Sequence, residues 1–185
     1  MLNRNAYRPV GGVALATALI LLIPLLTAPA WSLADFVLAG ALIFGTGLAF
    51  VLVAKAGNIA YRAAVAVALA AALLLVWVTG AVGIIGSEDN NANLMYFGVL
   101  AVGIIGAIVA RFRPHGMARA LFATALAQAS VAVIALIFGL GSGNPPGVLG
   151  ILILNGFFVG LFVGSALLFR NAGREQPPAG AGQEG

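Results

Sequence analysis

Six long apolar runs, separated by short polar or turn-rich segments, constrain this chain more than any other feature. About 20 apolar residues in a helix can cross a hydrocarbon core of about 30 Å. The runs are Val10–Thr27, Phe36–Ala54, Ala63–Gly86, Leu94–Ala110, Ala120–Leu140 and Val148–Phe169. With 62% apolar and only 8% charged residues, the chain lacks the polar side chains that cover a soluble domain. We therefore predict an all-α fold, a polytopic bundle of six transmembrane helices.

The segments outside the runs define the domain organisation. The connector before the second run ends in Ser32-Leu33-Ala34-Asp35, the pattern of a helix capping box. After the last run, residues 171–185 are rich in Gly, Pro and polar residues, a composition that favours disorder. The sequence thus predicts one membrane domain over residues 1–170 and a disordered cytoplasmic tail over residues 171–185.

The distribution of charge predicts how the chain is threaded. With six spans, all nine Lys and Arg residues fall on one side of the membrane. They are Arg4, Arg8, Lys55, Arg62, Arg111, Arg113, Arg119, Arg170 and Arg174. Asp35, Glu88 and Asp89 fall on the other side. Because basic loops stay in the cytoplasm, we predict that both termini are cytoplasmic.

A cleaved signal peptide is the alternative interpretation of the N-terminus. Arg4 and Arg8 resemble its basic region, and Ala28-Pro29-Ala30 resembles a small-residue cleavage site. The first apolar run is longer than a typical signal-peptide core, and Pro29 fits the site poorly. Residues 1–30 are therefore expected to form the first span, although cleavage would leave five spans.

The densest polar cluster of the chain interrupts this apolar pattern. Glu88 and Asp89 are followed by three asparagines in a short segment between the third and fourth spans. Oxygen ligands of this kind suit Ca²⁺ or Mg²⁺, but the spacing matches no EF-hand loop. We interpret the cluster as a periplasmic acidic turn, in which Asn91 or Asn93 caps the fourth span.

Glycine patterns indicate where helices approach closely. Gly156, Gly160 and Gly164 recur every four residues in the sixth span, an extended GxxxG motif. We predict that they form a helix-packing face, within the protomer or between protomers, flanked by Phe157, Phe158 and Phe162. The repeated "AVGIIG" at 81–86 and 101–106 is interpreted in the same way, as is a looser pattern at Gly40, Gly45 and Gly47.

Polar residues inside the spans are few, and three of them define a candidate intramembrane polar site. Gln128 and Ser130 lie in the fifth span and Asn155 lies in the sixth. Unpaired amides in lipid are costly, so these groups are expected to face the bundle interior. Their depths allow a Gln128–Asn155 bridge. The group either holds helices together or lines a path for a solute.

The residues that the spans lack argue against catalysis. No ionisable residue lies deep in a span, although proton relays and ion-coupled transporters normally need one. His115, the only histidine, lies in a predicted cytoplasmic loop and is expected to be exposed. The chain contains no cysteine. We therefore predict no catalytic, cofactor or metal site, no nucleic-acid partner and no enzymatic activity.

Three segments carry a resemblance to a known family. They are "AGNIAYRAA", "GAVGIIGSEDN" and "ANLMYFGVLAVGIIGAIVARFRPHGMARALFATALAQ". They resemble an uncharacterised family of small six-span bacterial inner-membrane proteins with no assigned activity, over roughly residues 33–170. The resemblance implies a bacterial inner-membrane location and a six-span body, and it transfers no functional residue.

These observations favour a non-enzymatic inner-membrane bundle that acts by association. Its partners would be the lipid bilayer and a second copy or a membrane complex, through the glycine face of the sixth span. The alternative is a facilitator or channel for a small neutral solute that uses Gln128, Ser130 and Asn155.

The threading can be tested with reporter fusions. A reporter active only in the cytoplasm should be active when fused after Arg174, because the basic residues place that end inside. It should be inactive when inserted within Glu88–Asn93. Activity at both positions would contradict six spans.

Overall fold

The structure, a computed structural model, describes residues 4–28, 30–55, 57–141, 143 and 145–175, with side chains from Arg8 onward. The described residues form helices and connecting turns and contain no strand. The helices are α1 (Arg4–Thr27), α2 (Leu33–Ala54), α3 (Ile59–Ala81), α4 (Met95–Val109), α5 (Pro114–Ile137) and α6 (Gly147–Arg174). A short 3₁₀ helix, Asn91–Leu94, leads directly into α4.

Among the described residues, six helices are long and apolar enough to cross a membrane, when the 3₁₀ turn is counted with α4. The predicted all-α fold with six candidate spans is therefore confirmed. The chain divides into two compact units, Met1–Ala56 and Gly57–Gly185.

The first unit is the helical hairpin of α1 and α2. The predicted capping box is present at the start of α2, where the Ser32 amide donates to Asp35 Oδ2 at 2.7 Å and the Asp35 amide donates to Ser32 Oγ at 3.3 Å. Glycine lets the two helices approach, because a Cβ on Gly47 would lie only 2.6 Å from a methyl carbon of Val13. The looser pattern predicted in this span is therefore a packing contact at Gly47.

The second unit contains α3 to α6. In this unit α5 packs against both α4 and α6, and α6 also packs against α3. The core consists mainly of small and apolar side chains from all four helices. It includes the fully buried Leu75, Tyr96, Phe158 and Phe169. Consecutive helices of this unit run in opposite directions and are joined by short turns. The turns therefore lie at two opposite ends of the unit.

Side-chain contacts join the helix termini at one of these ends. The Tyr61 hydroxyl at the start of α3 donates to the Phe112 carbonyl after α4, at 2.8 Å. The side-chain amide of Asn58, just before α3, donates to Glu175 Oε2 after α6, at 2.7 Å. At the start of α5, the His115 ring lies against Gly173, and His115 is exposed as predicted. We call this the basic end, since the arginines of the second unit lie here.

Three of the predicted span boundaries in the second unit differ clearly from the helix ends. The fifth span was predicted to begin at Ala120, but α5 begins at Pro114. The third span was predicted to continue to Gly86, but α3 ends at Ala81 and the next residues form a loop. The sixth span was predicted to end at Phe169, but α6 continues to Arg174, into the segment predicted as a tail. The rest of that predicted tail, residues 176–185, lies outside the described residues.

The second copy of "AVGIIG" performs the packing role that the sequence predicted for it. A Cβ on Gly103 would lie 3.2 Å from Thr124 Oγ1, and one on Gly106 would lie 2.7 Å from the Ala120 Cβ. Both glycines therefore face α5, and their missing side chains set the distance between α4 and α5. In lipid, such close packing is a main source of cohesion between helices.

We expect Gly106→Ala to destabilise the second unit, because the new methyl group would overlap Ala120. Overpacking of this kind costs about 1–3 kcal/mol. Gly98→Ala in the same helix is the matched control, since a Cβ there has no described atom within 4 Å. Thermal melting in detergent should show a lower Tm for Gly106→Ala only. Equal melting temperatures of the two variants would show that α4 and α5 can move apart to fit the methyl group with no loss of stability.

Candidate functional site

A buried loop connects α3 to the 3₁₀ helix and begins the candidate site. Gly83 and Gly86 have φ angles of 80° and 70°, in the left-handed region that glycine adopts without strain. A Cβ on Gly83 would lie 2.5 Å from the Ser87 carbonyl carbon, so the turn closes only because this residue is glycine. Between the glycines, Ile84 and Ile85 are 0% exposed. The first "AVGIIG" is thus a loop inserted into the core, and its predicted role in helix packing was wrong.

Asn93 supplies the hydrogen bonds that this loop would otherwise lack. Its Oδ1 accepts from the amides of Ile84 and Ile85, at 3.0 and 2.9 Å. Its Nδ2 donates to the Ser87 carbonyl at 2.8 Å and more weakly to the Ile85 carbonyl at 3.4 Å. The side chain itself is 3% exposed. The side-chain amide of Asn93 therefore supplies the hydrogen bonds that backbone groups of a helix would otherwise provide to this segment.

The capping prediction for this segment was wrong in its residue. Asn90, and neither Asn91 nor Asn93, caps the 3₁₀ helix, because its Oδ1 accepts from the Ala92 amide at 2.9 Å. Glu88 and Asp89 are exposed at the tip of the turn. This placement fits a solvated turn, and the described residues contain no group of three or more His, Asp or Glu side chains that could hold a metal ion.

A second buried polar cluster joins α4, α5 and α6. Gln128 Nε2 donates to Asn155 Oδ1 at 2.9 Å, so the predicted bridge between these two amides is present. Asn155 Nδ2 donates to the Tyr96 hydroxyl at 3.0 Å and to the Ile151 carbonyl at 2.8 Å. The three side chains are at most 2% exposed. We call them the amide cluster: Tyr96, Gln128 and Asn155.

The third residue of the predicted polar site lies apart from the amide cluster. Ser130 is exposed, and its hydroxyl donates to the Leu126 carbonyl of its own helix at 2.9 Å. Within the cluster, Gln128 Oε1 is buried without a hydrogen-bond partner. Turning the Gln128 carboxamide over would bring its oxygen against Asn155 Oδ1, and two acceptors cannot form a hydrogen bond.

The loop and the amide cluster are neighbours. A Cβ on Gly141, after α5, would lie 3.1 Å from both the Gly86 amide nitrogen and Ile151 Cδ1. The carbonyl of the same Ile151 accepts from Asn155. The buried loop therefore lies about one helical turn from the amide cluster, at the end of the unit that carries Glu88 and Asp89.

The chemistry of this region is that of neutral hydrogen bonding. The amide cluster contains two carboxamides and one phenol, and none of these groups carries a charge at neutral pH. Such groups can hold helices in register or bind a small neutral donor. General acid–base catalysis needs a positioned titrating group with a pKa near the working pH, which this cluster does not supply.

The glycine face of α6 lies on another side of that helix. Gly156 and Gly160 are exposed and Gly164 is partly exposed. A Cβ at any of the three would have no described atom within 4 Å. The buried face of α6 carries Asn155, Phe158, Phe162, Ser165 and Phe169 instead.

Comparison of the chain with protein-family models, with curated proteins and with solved structures finds no match. The resemblance to a bacterial inner-membrane family therefore stays a prediction.

Sequence reasoning missed Tyr96 and the role of Asn93. Tyr96 opens α4 among apolar residues, so no pattern marks its hydroxyl as a partner for Asn155. Asn93 was predicted only as one of two candidates for the cap of the fourth span. The available signal was the pair of glycines in "GIIG" close to an asparagine, since glycines that bend the chain leave backbone groups that need a partner.

We expect Asn93→Leu to destabilise the protein strongly, because the Ile84 and Ile85 amides would lose their acceptor. Each buried donor left without a partner costs about 1–3 kcal/mol. Asn91→Leu is the matched control, since Asn91 is exposed in the same 3₁₀ helix. Unfolding in detergent, followed by circular dichroism, should separate the two variants. If Asn93→Leu unfolds at the same temperature as Asn91→Leu, the loop is not held by Asn93.

Proposed function

We propose that this protein is a non-enzymatic, multi-pass protein of the bacterial inner membrane, and that it acts by associating with a second copy of itself. The contact surface is the glycine face, Gly156, Gly160 and Gly164 of α6. The observation that carries the proposal is the open space above all three glycines. The proposed membrane location rests on the six apolar helices and on the placement of the basic residues.

The other helices show what a glycine does where it is used for packing. Gly106 faces Ala120 across the α4–α5 contact, and Gly47 faces Val13 across the α1–α2 contact. In both places the missing side chain is matched by a close neighbour. Gly156, Gly160 and Gly164 have the most regular spacing in the chain but no such neighbour among the described residues. Glycine in a helix interior is less favourable than alanine by about 1 kcal/mol, and a contact between backbones along the stripe would offset that cost for three glycines at once.

A second copy of α6 is the simplest partner for this stripe. Small residues at i, i+4 and i+8 form a shallow groove along a helix, and two such grooves can cross with their backbones in contact. A two-fold symmetric contact uses the same surface on both subunits, so it requires no additional surface. The glycine stripe meets this requirement because it is complementary to itself.

The aromatic residues beside the stripe have different roles from those predicted. Phe157 is 52% exposed and adjoins the glycines, where it can cover the flank of a partner helix. Phe158 and Phe162 are buried in the core of the second unit. They anchor α6 from behind, so the stripe is presented by a helix whose opposite face is fixed.

A facilitator for a small neutral solute has less support. Such a path needs polar groups on several helices at successive depths. Ser130 lies outside the amide cluster, and the Thr124 and Ser165 hydroxyls already donate to backbone carbonyls at 2.9 and 2.7 Å. The amide cluster is therefore better explained as a lock between α4, α5 and α6.

Gly160→Leu should abolish self-association, because the added side chain holds the partner backbone away from the stripe. The full chain would be compared with this variant by native mass spectrometry in a mild detergent. We expect the parent to show a dimer and the variant a monomer. Gly98→Leu, which places the same side chain in open space on α4, should remain dimeric.

Two outcomes would contradict the proposal. A parent that is monomeric in detergent and in nanodiscs would remove self-association altogether. A Gly160→Leu variant that keeps the mass of the parent would show that the stripe faces lipid.

A further inference from the structure

The basic end of the second unit has a strong excess of exposed positive charge. It carries Arg62, Arg111, Arg113, Arg119, Arg170 and Arg174, all of them exposed. Among the described residues of this end, the only carboxylate is Glu175, which already accepts a hydrogen bond from Asn58 at 2.7 Å. The opposite end carries Glu88 and Asp89 instead. The arginines therefore have no set of acidic partners at their own end.

The α4–α5 turn within this end has an unusual, fixed shape. Arg111 and Phe112 have φ angles of 50° and 57°, in the left-handed region that residues with a side chain rarely adopt. The Tyr61 hydroxyl donates to the Phe112 carbonyl, and the Arg113 amide donates to the Ala110 carbonyl at 3.0 Å. These bonds hold a turn in which an exposed aromatic ring stands between two exposed arginines.

Exposed apolar side chains lie in this turn and at the start of α3, whose Tyr61 bonds to the turn. Val109 is 77% exposed, Phe112 is 45% exposed, and Ile59 at the start of α3 is 86% exposed. Exposed apolar groups directly beside arginines match the boundary of a bilayer, where acyl chains meet phosphate groups. Arginine binds phosphate oxygens through its fork of donors, and its long side chain reaches the headgroup level from a helix end.

We propose that the basic end binds the headgroups of anionic phospholipids, with Arg111 and Arg113 on the phosphates and Phe112 at the level of the upper acyl chains. The charge complementarity favours an anionic lipid over a zwitterionic one. If these arginines only set the orientation of the helices in the membrane, any position in this loop would serve equally well. That role would not need consecutive left-handed residues held by a hydroxyl from a third helix.

The test is native mass spectrometry of the full chain in neutral detergent, with phosphatidylglycerol or phosphatidylcholine of identical acyl chains. We expect bound phosphatidylglycerol on the parent and little bound phosphatidylcholine. In Arg111→Gln/Arg113→Gln the affinity for phosphatidylglycerol should fall roughly tenfold, since each arginine near an anionic surface contributes several-fold. The control Arg8→Gln/Lys55→Gln removes the same charge from the first unit and should bind like the parent.

Three outcomes would overturn the proposal. Equal binding of the two lipids by the parent would show that headgroup charge is not recognised. An equal loss in the control variant would show attraction by net charge and no role for this turn. Glycerol 3-phosphate, which carries the phosphate without acyl chains, would identify a soluble phosphate ligand if it displaced phosphatidylglycerol at equal concentration.

A second measurement covers the case in which the double variant fails to fold. Phosphatidylglycerol should raise the Tm of the parent at low salt, and this rise should shrink as sodium chloride increases, because salt screens exposed charges. A stabilisation that is unchanged by salt, or that phosphatidylcholine gives equally, would also exclude recognition by the arginines.

Discussion

The need to satisfy backbone polar groups away from water determines the architecture of the second unit. Within a hydrocarbon layer every N–H and C=O group needs a partner in the protein, which is why helices dominate. The segment after α3 leaves the helical pattern while its two isoleucines are fully buried. It can do so because Asn93 accepts from two amides and donates to two carbonyls. The position of α4, and through Gly141 the start of α6, depends on this arrangement.

Sequence patterns predicted the helices well because apolar length is a property of each segment alone. The Ser32–Asp35 capping box was equally local and was confirmed. "AVGIIG" was a different case, since its first copy leaves the helix after Ala81 and forms a loop over 82–86, whereas its second copy is helical over 101–106. The difference comes from the surroundings of each copy. The first copy is hydrogen-bonded by Asn93 and lies against Gly141, whereas the second packs against Ala120. No reading of the six residues themselves could separate these outcomes.

The candidate site was predicted in part for the same reason. Gln128 and Asn155 were identified because an amide in an apolar span needs a partner, and depth along each helix could be estimated from residue number. Ser130 lies only two residues from Gln128, and that offset turns it to another side of α5. Tyr96 was missed because tyrosine is common near the ends of membrane helices, where it usually needs no buried partner. Helix rotation, which depends on all neighbours at once, was the missing information.

The hydrogen bonds of Asn93 also determine how the protein moves. A loop normally opens on its own, and its amides exchange with solvent long before the core unfolds. The Ile84 and Ile85 amides belong to a loop by conformation, but their acceptor is anchored at the start of α4 and both side chains are enclosed by the core. Their exposure to solvent requires α4 to detach. We therefore expect these two amides to exchange as slowly as those of the core helices, although Glu88 and Asp89, a few residues away, lie at the surface.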